Sequence, residues 1–269
     1  MRRSARAVPF SLSATALGGL VQPAARVRVV SAERQATWLD RGFRDFAATP
    51  MIGLSYGAAF AAMGWLLTMG LARIGMESLI LPLAGGFILI APLAAAGLYE
   101  VSRRREKGLP VSLSISLAAL RRNGQVADMG LVLLLIFFAW IQLAMVVFAL
   151  FFANRPPALG EFYTQVVMAP QGVPFLLTGT VIGGVLAGLA FAVSVVALPM
   201  LLDRDVSALA AMQASLRAVW CNRVSMIGWA ATLAILAAVG MGVLFFGLAV
   251  TLPIAAHASW HAYRDLIER

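Results

Sequence analysis

Cysteine, histidine and charged residues are all scarce in this chain of 269 residues. Its one cysteine, Cys221, excludes an intrachain disulfide. Two histidines and very little lysine leave few groups for metal binding or Schiff-base chemistry. Charged residues make up 12% of the sequence, against roughly 25% in soluble domains. These shortages exclude a water-soluble globular domain of ordinary composition.

Apolar residues are correspondingly abundant. They make up 61% of the chain, and the mean hydropathy is +0.87, which indicates an integral membrane protein. The net charge of +9 comes almost entirely from arginine. An anionic membrane surface and the preference for positive loops in the cytoplasm account for that charge. We therefore expect the lipid bilayer, and no nucleic acid, as a partner.

Six apolar segments are predicted to span the membrane, since a spanning helix needs about 20 apolar residues. The last two come from 38 residues without a charge, from Val224 to His261. One helix of that length would measure about 57 Å, nearly twice the hydrocarbon thickness, so we expect a break at Gly240-Met241-Gly242. The predicted spans are approximately residues 51–71, 78–99, 129–153, 174–202, 224–239 and 243–263.

The positive charges sort to one side of this topology. With six helices and a cytoplasmic N-terminus, 19 of the 21 basic residues fall inside. A five-helix chain would place Arg264 and Arg269 outside and weaken the asymmetry. The sequence therefore predicts an all-α, multi-pass bundle in the bacterial inner membrane, with both termini in the cytoplasm.

Residues 1–36 are rich in alanine, arginine and serine, which predicts a disordered cytoplasmic arm before a membrane domain over 37–269. An amphipathic helix is expected at 37–47, with an apolar face around Trp38 and a polar face that includes Asp45. Similar segments follow around Leu113 and Leu209. Contact with lipid headgroups and docking on the bundle are both open for these segments.

A row of polar residues is the first candidate for chemistry. His257, His261 and Asp265 are spaced by four, which aligns them on one face of a helix. The row supplies too few ligands for a complete metal site, which needs three or four. We favour interfacial hydrogen bonding, and predict no metal and no cofactor.

Few other polar side chains are placed for chemistry. Glu100 is predicted to pair with Arg103 and Arg104, and Glu77 to pair with Arg73. None of the predicted spans has an ionisable residue near its middle, and Gln142 is the only strongly polar group there. An interhelical hydrogen bond is its expected use. The sequence therefore predicts that the protein is not an enzyme.

A weak internal repeat suggests three helix hairpins. Pro92, Pro199 and Pro253 each lie toward the cytoplasmic end of an even-numbered helix. The second predicted helix is the one most prone to kink. We mark its Pro82, Gly85, Gly86, Pro92 and Glu100, together with Gln142, as a possible functional helix and its neighbour. Such a helix favours a small-solute transporter or channel as the alternative function.

Two stretches resemble a bacterial integral-membrane domain family of unknown function. The first is Gly75-Met-Glu-Ser-Leu-Ile-Leu-Pro-Leu-Ala-Gly-Gly-Phe87, continued by Ala91-Pro92 through Tyr99-Glu100 to Arg104. The second runs from Leu252-Pro253 to Asp265. The resemblance covers about Trp38 to the C-terminus. The family occurs in uncharacterised prokaryotic proteins, some of them labelled as cytochrome c oxidases, and it implies no catalytic residue or ligand.

The oxidase label implies at most an accessory role. A haem-copper catalytic subunit needs about six histidine ligands, and this chain has two. Faces of small residues, such as Gly53 with Gly57 and Gly184 with Gly188, suit helix contacts. We therefore predict a non-catalytic accessory or scaffold protein of an inner-membrane complex, with a respiratory complex as a candidate partner.

Overall fold

The computed structural model describes residues 25–76, 79–121, 123–152 and 168–268. Within these ranges the chain is helical apart from short connections and one isolated antiparallel bridge between Val27 and Ile267. A 3-10 turn, Ala119–Arg121, follows the short helix Leu113–Ala118. The helices are α1 Arg34–Ala48, α2 Pro50–Arg73, α3 Ile80–Ala94, α4 Ala96–Glu106, α5 Leu113–Ala118, α6 Gly124–Phe152, α7 Gly172–Ser194, α8 Ala197–Asp203, α9 Ala208–Cys221, α10 Arg223–Gly242 and α11 Leu248–Leu266.

Among the described residues, five segments are long and apolar enough to cross a membrane: Pro50–Arg73, Ile80–Glu106, Gly124–Phe152, Gly172–Asp203 and Arg223–Gly242. The predicted all-α membrane bundle is confirmed. Two of these segments combine consecutive helices, α3 with α4 and α7 with α8. The sixth span stays a prediction, because α11 is not among the five.

Local breaks occur near two of the three repeated prolines. The first break is at Ala95, three residues after Pro92. The second is at Val195 and Val196, just before Pro199. Proline has no N–H to bond the carbonyl four residues earlier, so Pro199 leaves the Val195 carbonyl without its helical donor. Pro253 lies inside α11, which is continuous.

The last helix begins five residues later than the predicted start at Val243. Residues 243–247 form a turn, in which Leu244 and Phe245 have φ angles of 50° and 67°. The Phe245 ring lies against Gly64, where an added Cβ would approach it to 2.5 Å. The Phe245 ring therefore packs on α2 while its residue has a backbone conformation that residues other than glycine rarely adopt.

The predicted arm at 1–36 extends too far. Residues 1–24 lie outside the described part of the chain, whereas the backbone from Ala25 onward is bonded to the bundle. Arg28 N donates to the Leu266 carbonyl at 2.8 Å, and Val30 N donates to Asn222 Oδ1 at 2.7 Å. Asn222 also donates to the Arg28 carbonyl. This segment consequently lies beside the end of α11.

Helix α1 docks on the bundle instead of lying only on a lipid surface. Trp38 is fully buried, and its ring meets that of Trp229 edge to face at 5.4 Å. Gly42 is also buried, since an added Cβ would approach the Ala258 backbone N to 2.6 Å. Of the predicted apolar face, Phe43 remains exposed. The apolar face therefore serves mainly to hold α1 against α10 and α11.

Candidate functional site at the charged end of the bundle

Polar side chains from α1, α4, α8 and α11 meet at one end of the bundle, which we call the charged end. It contains three groups of contacts, centred on Asp45, Glu100 and Asp203, with a separate contact at Asp265. Charges become buried here because α4 and α11 continue past their apolar parts and pack against each other. Their pairing offsets the cost of removing them from water.

Asp45 is the centre of the first group. Its carboxylate accepts from Ser102 Oγ at 2.5 Å, His261 Nε2 at 2.9 Å and Arg105 Nε at 3.0 Å. Burial alone raises the pKa of Asp45, but the hydrogen bonds from His261 and Ser102 outweigh it and lower the pKa to about 2. The prediction that Asp45 lies on an outer polar face was wrong, because α1 turns this side toward α4 and α11.

His257 lies deeper in the same group. Its Nδ1 is 2.8 Å from Ser102 Oγ. Because the single Ser102 proton points to Asp45, His257 Nδ1–H donates to Ser102, and Nε2 is then the unprotonated nitrogen. That nitrogen is buried and has no hydrogen-bond partner among the described residues. Both histidines thus belong to one structural chain of hydrogen bonds around Asp45.

Asp265, the third member of the predicted row, faces other partners. It accepts from Arg34 Nη2 at 2.7 Å and from Trp38 Nε1 at 2.9 Å, which anchors α1 to α11. The row of His257, His261 and Asp265 does not converge on one point. In the described ranges, no group of three histidine, cysteine or acidic residues is arranged to hold a metal ion.

Glu100 forms the second group with the two arginines expected from the sequence. Arg103 Nε lies 2.6 Å from Glu100 Oε2, and Arg104 Nε lies 3.0 Å from Oε1. The Glu100 side chain is 1% exposed. The pairing is local, at spacings of three and four along α4. The other predicted pair cannot be described, because Glu77 lies outside the described residues.

Asp203 and Glu106 form the third group, which the sequence did not single out. Arg264 bridges them, with Nη1 at 3.0 Å from Asp203 and Nη2 at 2.9 Å from Glu106. Tyr263 and Lys107 also donate to Asp203, at 3.0 and 3.2 Å. The only signal in the sequence was that these charges lie at predicted helix ends. Their partners could not be foreseen, because each contact joins residues at least 60 positions apart.

The predicted functional helix is mostly packed. An added Cβ at Gly85 would lie 3.1 Å from the Trp140 ring, and the Phe137 ring fills the space beside Gly86. Trp140 Nε1 donates to the Pro82 carbonyl at 2.6 Å. Gln142 is exposed on α6. No hydrogen bond joins Gln142 to another of the described residues, so the predicted interhelical bond is not seen among them.

An apolar cleft of about 500 Å³ opens among α3, α4, α7, α10 and α11. Pro92 is the one member of the predicted functional set that lines it. Small residues of α7 and α10 make the cleft wide, and on α7 an added Cβ at Gly184 or Gly188 would meet nothing within 4 Å. Its lining contains the hydroxyls of Tyr99, Thr251 and Ser259 but no acidic residue, histidine, lysine or arginine.

The fold and these sites define a multi-pass helical membrane protein whose buried polar groups gather at one end. Residues 80–203 match the model of a family described as "Predicted integral membrane protein (DUF2189)". This part of the chain is therefore similar to a family whose function is unknown. The matched range includes most of the first resembling stretch and excludes the C-terminal one. Comparisons with curated proteins and with solved structures give no match.

Proposed function

We propose that this protein is a non-catalytic accessory or scaffold component that binds another inner-membrane complex. The observation that supports this proposal is that the ionisable groups lie apart from the apolar cleft. Asp45, Glu100 and Asp203 are each bonded to basic side chains at the charged end, whereas the cleft is lined by apolar and hydroxyl groups. Acid-base groups that are committed to internal pairs serve stability better than catalysis.

The charged end supplies a rigid platform for such a partner. Ion pairs and hydrogen bonds tie α1, α4, α8 and α11 together. Beside this platform, α5 and α9 expose leucines, while α9 packs an alanine face against α7 and α8. The exposed side chains are Leu113 and Leu117 on α5 and Leu209 and Leu216 on α9. We assign the partner contact to α5, the shorter and less embedded of the two.

The orientation is part of this proposal: the charged end faces the cytoplasm and α11 is a sixth crossing. Two observations support it. The contacts of Val27 with Ile267 and of Arg28 with Leu266 hold residues near both ends of the chain together. His261 and Asp265 also return to the end where α1 lies. A reporter fused after Arg269 should be active in the cytoplasm, and periplasmic activity would refute the orientation.

Co-purification tests the accessory role. The tagged full chain is extracted from native membranes in a mild detergent, and its partners are identified by mass spectrometry and by a visible absorption spectrum. We expect a stoichiometric membrane complex, with haem absorption if the partner is respiratory. Leu113→Ala with Leu117→Ala should release the partner. The matched control, Leu131→Ala with Leu135→Ala, changes exposed leucines on α6 and should retain it.

A small-solute transporter or channel is the second candidate, and the cleft is the observation that favours it. This function requires water to reach the cleft. Cysteines at Gly188 or Ala234, in a Cys221→Ser background, would then react with a small polar thiol reagent added from one side. The accessory proposal expects no such labelling, and it fails if these positions label while no partner co-purifies in several detergents.

A further inference from the structure

We infer that the cleft among α3, α4, α7, α10 and α11 binds one anionic phospholipid from the leaflet next to the charged end. The lipid's acyl chain occupies the cleft, and its phosphate lies at Arg223 and Trp220. The accessory role does not use this cleft, and the transporter alternative places a small polar solute in it, not a lipid. The argument rests on the position of the cleft, its lining and the charge at its end.

The position of the cleft matches one leaflet. Along α10 its lining runs from Ile227 to Ala237, which is about 15 Å at 1.5 Å per residue. That length is half of a hydrocarbon core about 30 Å thick. The lining reaches Tyr99 and Ser259 near the charged end, while Phe87 and Leu248 mark its deep end. A lipid tail from the adjoining leaflet would have this length and direction.

The lining suits a flexible apolar chain. Apart from three hydroxyl side chains it consists of aliphatic, aromatic, glycine and proline residues. On α7, Gly184 and Gly188 leave open space where larger side chains would fill the cleft. Water in such a place would lose hydrogen bonds, whereas an acyl chain loses none. The chemistry therefore favours a hydrocarbon occupant.

A cation lies one helical turn beyond the end of the cleft. Arg223 and Ile227 are four residues apart on α10, and so lie on the same face. The guanidinium of Arg223 sits 5.2 Å from the centre of the Trp220 ring, and both side chains are exposed. Among the described residues no carboxylate pairs with Arg223. Tryptophan with an unpaired arginine is the chemistry that meets a lipid phosphate at the membrane interface.

Helix α9 places this pair at the mouth of the cleft. It packs against α7 and α8, where Ser215 donates to the Ala192 carbonyl, and it joins α10 through Asn222. The end of α9 that carries Trp220 therefore lies beside the first turn of α10. Arg217, one turn before Trp220 on α9, is exposed and adds a second positive charge. This positive charge favours an anionic headgroup over a zwitterionic one. Each basic residue contributes about 1 kcal/mol, which corresponds to about a fivefold gain in affinity.

Native mass spectrometry of the purified full chain tests the inference. Dioleoyl phosphatidylglycerol and dioleoyl phosphatidylcholine, which share their acyl chains, are titrated into the protein in a non-ionic detergent. The wild type should bind phosphatidylglycerol more tightly. Arg223→Gln should lower that affinity about fivefold and lower phosphatidylcholine binding by less, because choline already balances the phosphate of that lipid. An unchanged preference in this variant would overturn the headgroup assignment.

The acyl site is tested by filling the cleft. Gly188→Leu should weaken the binding of both lipids, whereas Gly179→Leu should bind them as the wild type does. The two glycines are matched, since an added Cβ meets nothing within 4 Å at either, but only Gly188 lines the cleft. Equal binding by Gly188→Leu and wild type would overturn the proposal. So would a photoreactive residue at position 188 that crosslinks to a polypeptide, and not to lipid, in native membranes.

Discussion

The charged end and the cleft share α4 and α11 but are built in opposite ways. At the charged end, α4 and α11 bury carboxylates and arginines in pairs as short as 2.6 Å. Around the cleft, α7 and α10 present glycine and alanine without filling the space between them. The first region gains stability from specific polar contacts. The second leaves apolar surface for an occupant, and so is the better place for binding in the membrane.

Breaking a buried pair should cause the largest loss. Glu100→Gln removes the charge that balances Arg103 and Arg104. Loss of one partner of a buried pair costs about 3–5 kcal/mol, so the variant should unfold much more readily in detergent. Asp40→Asn is the control, since its pair with Arg44 is exposed and contributes at most about 1 kcal/mol. Equal losses in the two variants would show that burial of the Glu100 pair is unimportant.

The close contact between α2 and α11 comes next. At Gly57 an added Cβ would overlap the backbone of Ala249, which cannot move without separating the helices. Gly57→Ala should therefore cost about 3 kcal/mol, at the upper part of the usual range for overpacking. Gly70→Ala in the same helix meets nothing within 4 Å and should be neutral or stabilising. Thermal unfolding of both variants checks the contrast.

Asp45 gives the charged end a pH dependence that the cleft lacks. Its native pKa of about 2 lies below the ordinary value of 3.8. A lowered native pKa stabilises the fold above the unfolded-state pKa, and this contribution is lost as the pH falls through the native one. We expect about 2 kcal/mol to disappear between about pH 4 and pH 2. Asp45→Asn should lack this loss, and identical pH profiles would contradict the assignment.

The smallest effect is expected on the lipid-facing side of α6. Gln142 is exposed there, so Gln142→Leu should change the free energy of unfolding by less than about 0.5 kcal/mol. An interhelical hydrogen bond would instead give a loss of about 0.6 kcal/mol or more. Unfolding in detergent distinguishes these outcomes. A clear loss would mean that Gln142 has a partner and that the polar contacts extend beyond the charged end.

The sequence by itself determined the membrane class, the apolar segments and the Glu100 pair. Each depends on nearby residues: a run of about 20 apolar side chains crosses the hydrocarbon whatever its neighbours are, and a spacing of three or four joins two charges on one helix. The turn before α11 was also foreseen near Gly242, because one uninterrupted helix would be too long.

Only the tertiary structure decided how the helices face one another. Asp45 and His261 are separated by 216 residues, and their contact depends on the rotation of α1 and α11 about their own axes. Successive residues of a helix point about 100° apart around its axis. Turning α6 about its axis would change which side chains face the bundle without changing the hydropathy of the segment, so hydropathy does not say whether Gln142 faces the bundle or the lipid. Hydropathy along a nearly uniform apolar helix does not record that rotation. Side-chain packing, such as Ala249 on Gly57 and Trp140 on Gly85, sets it.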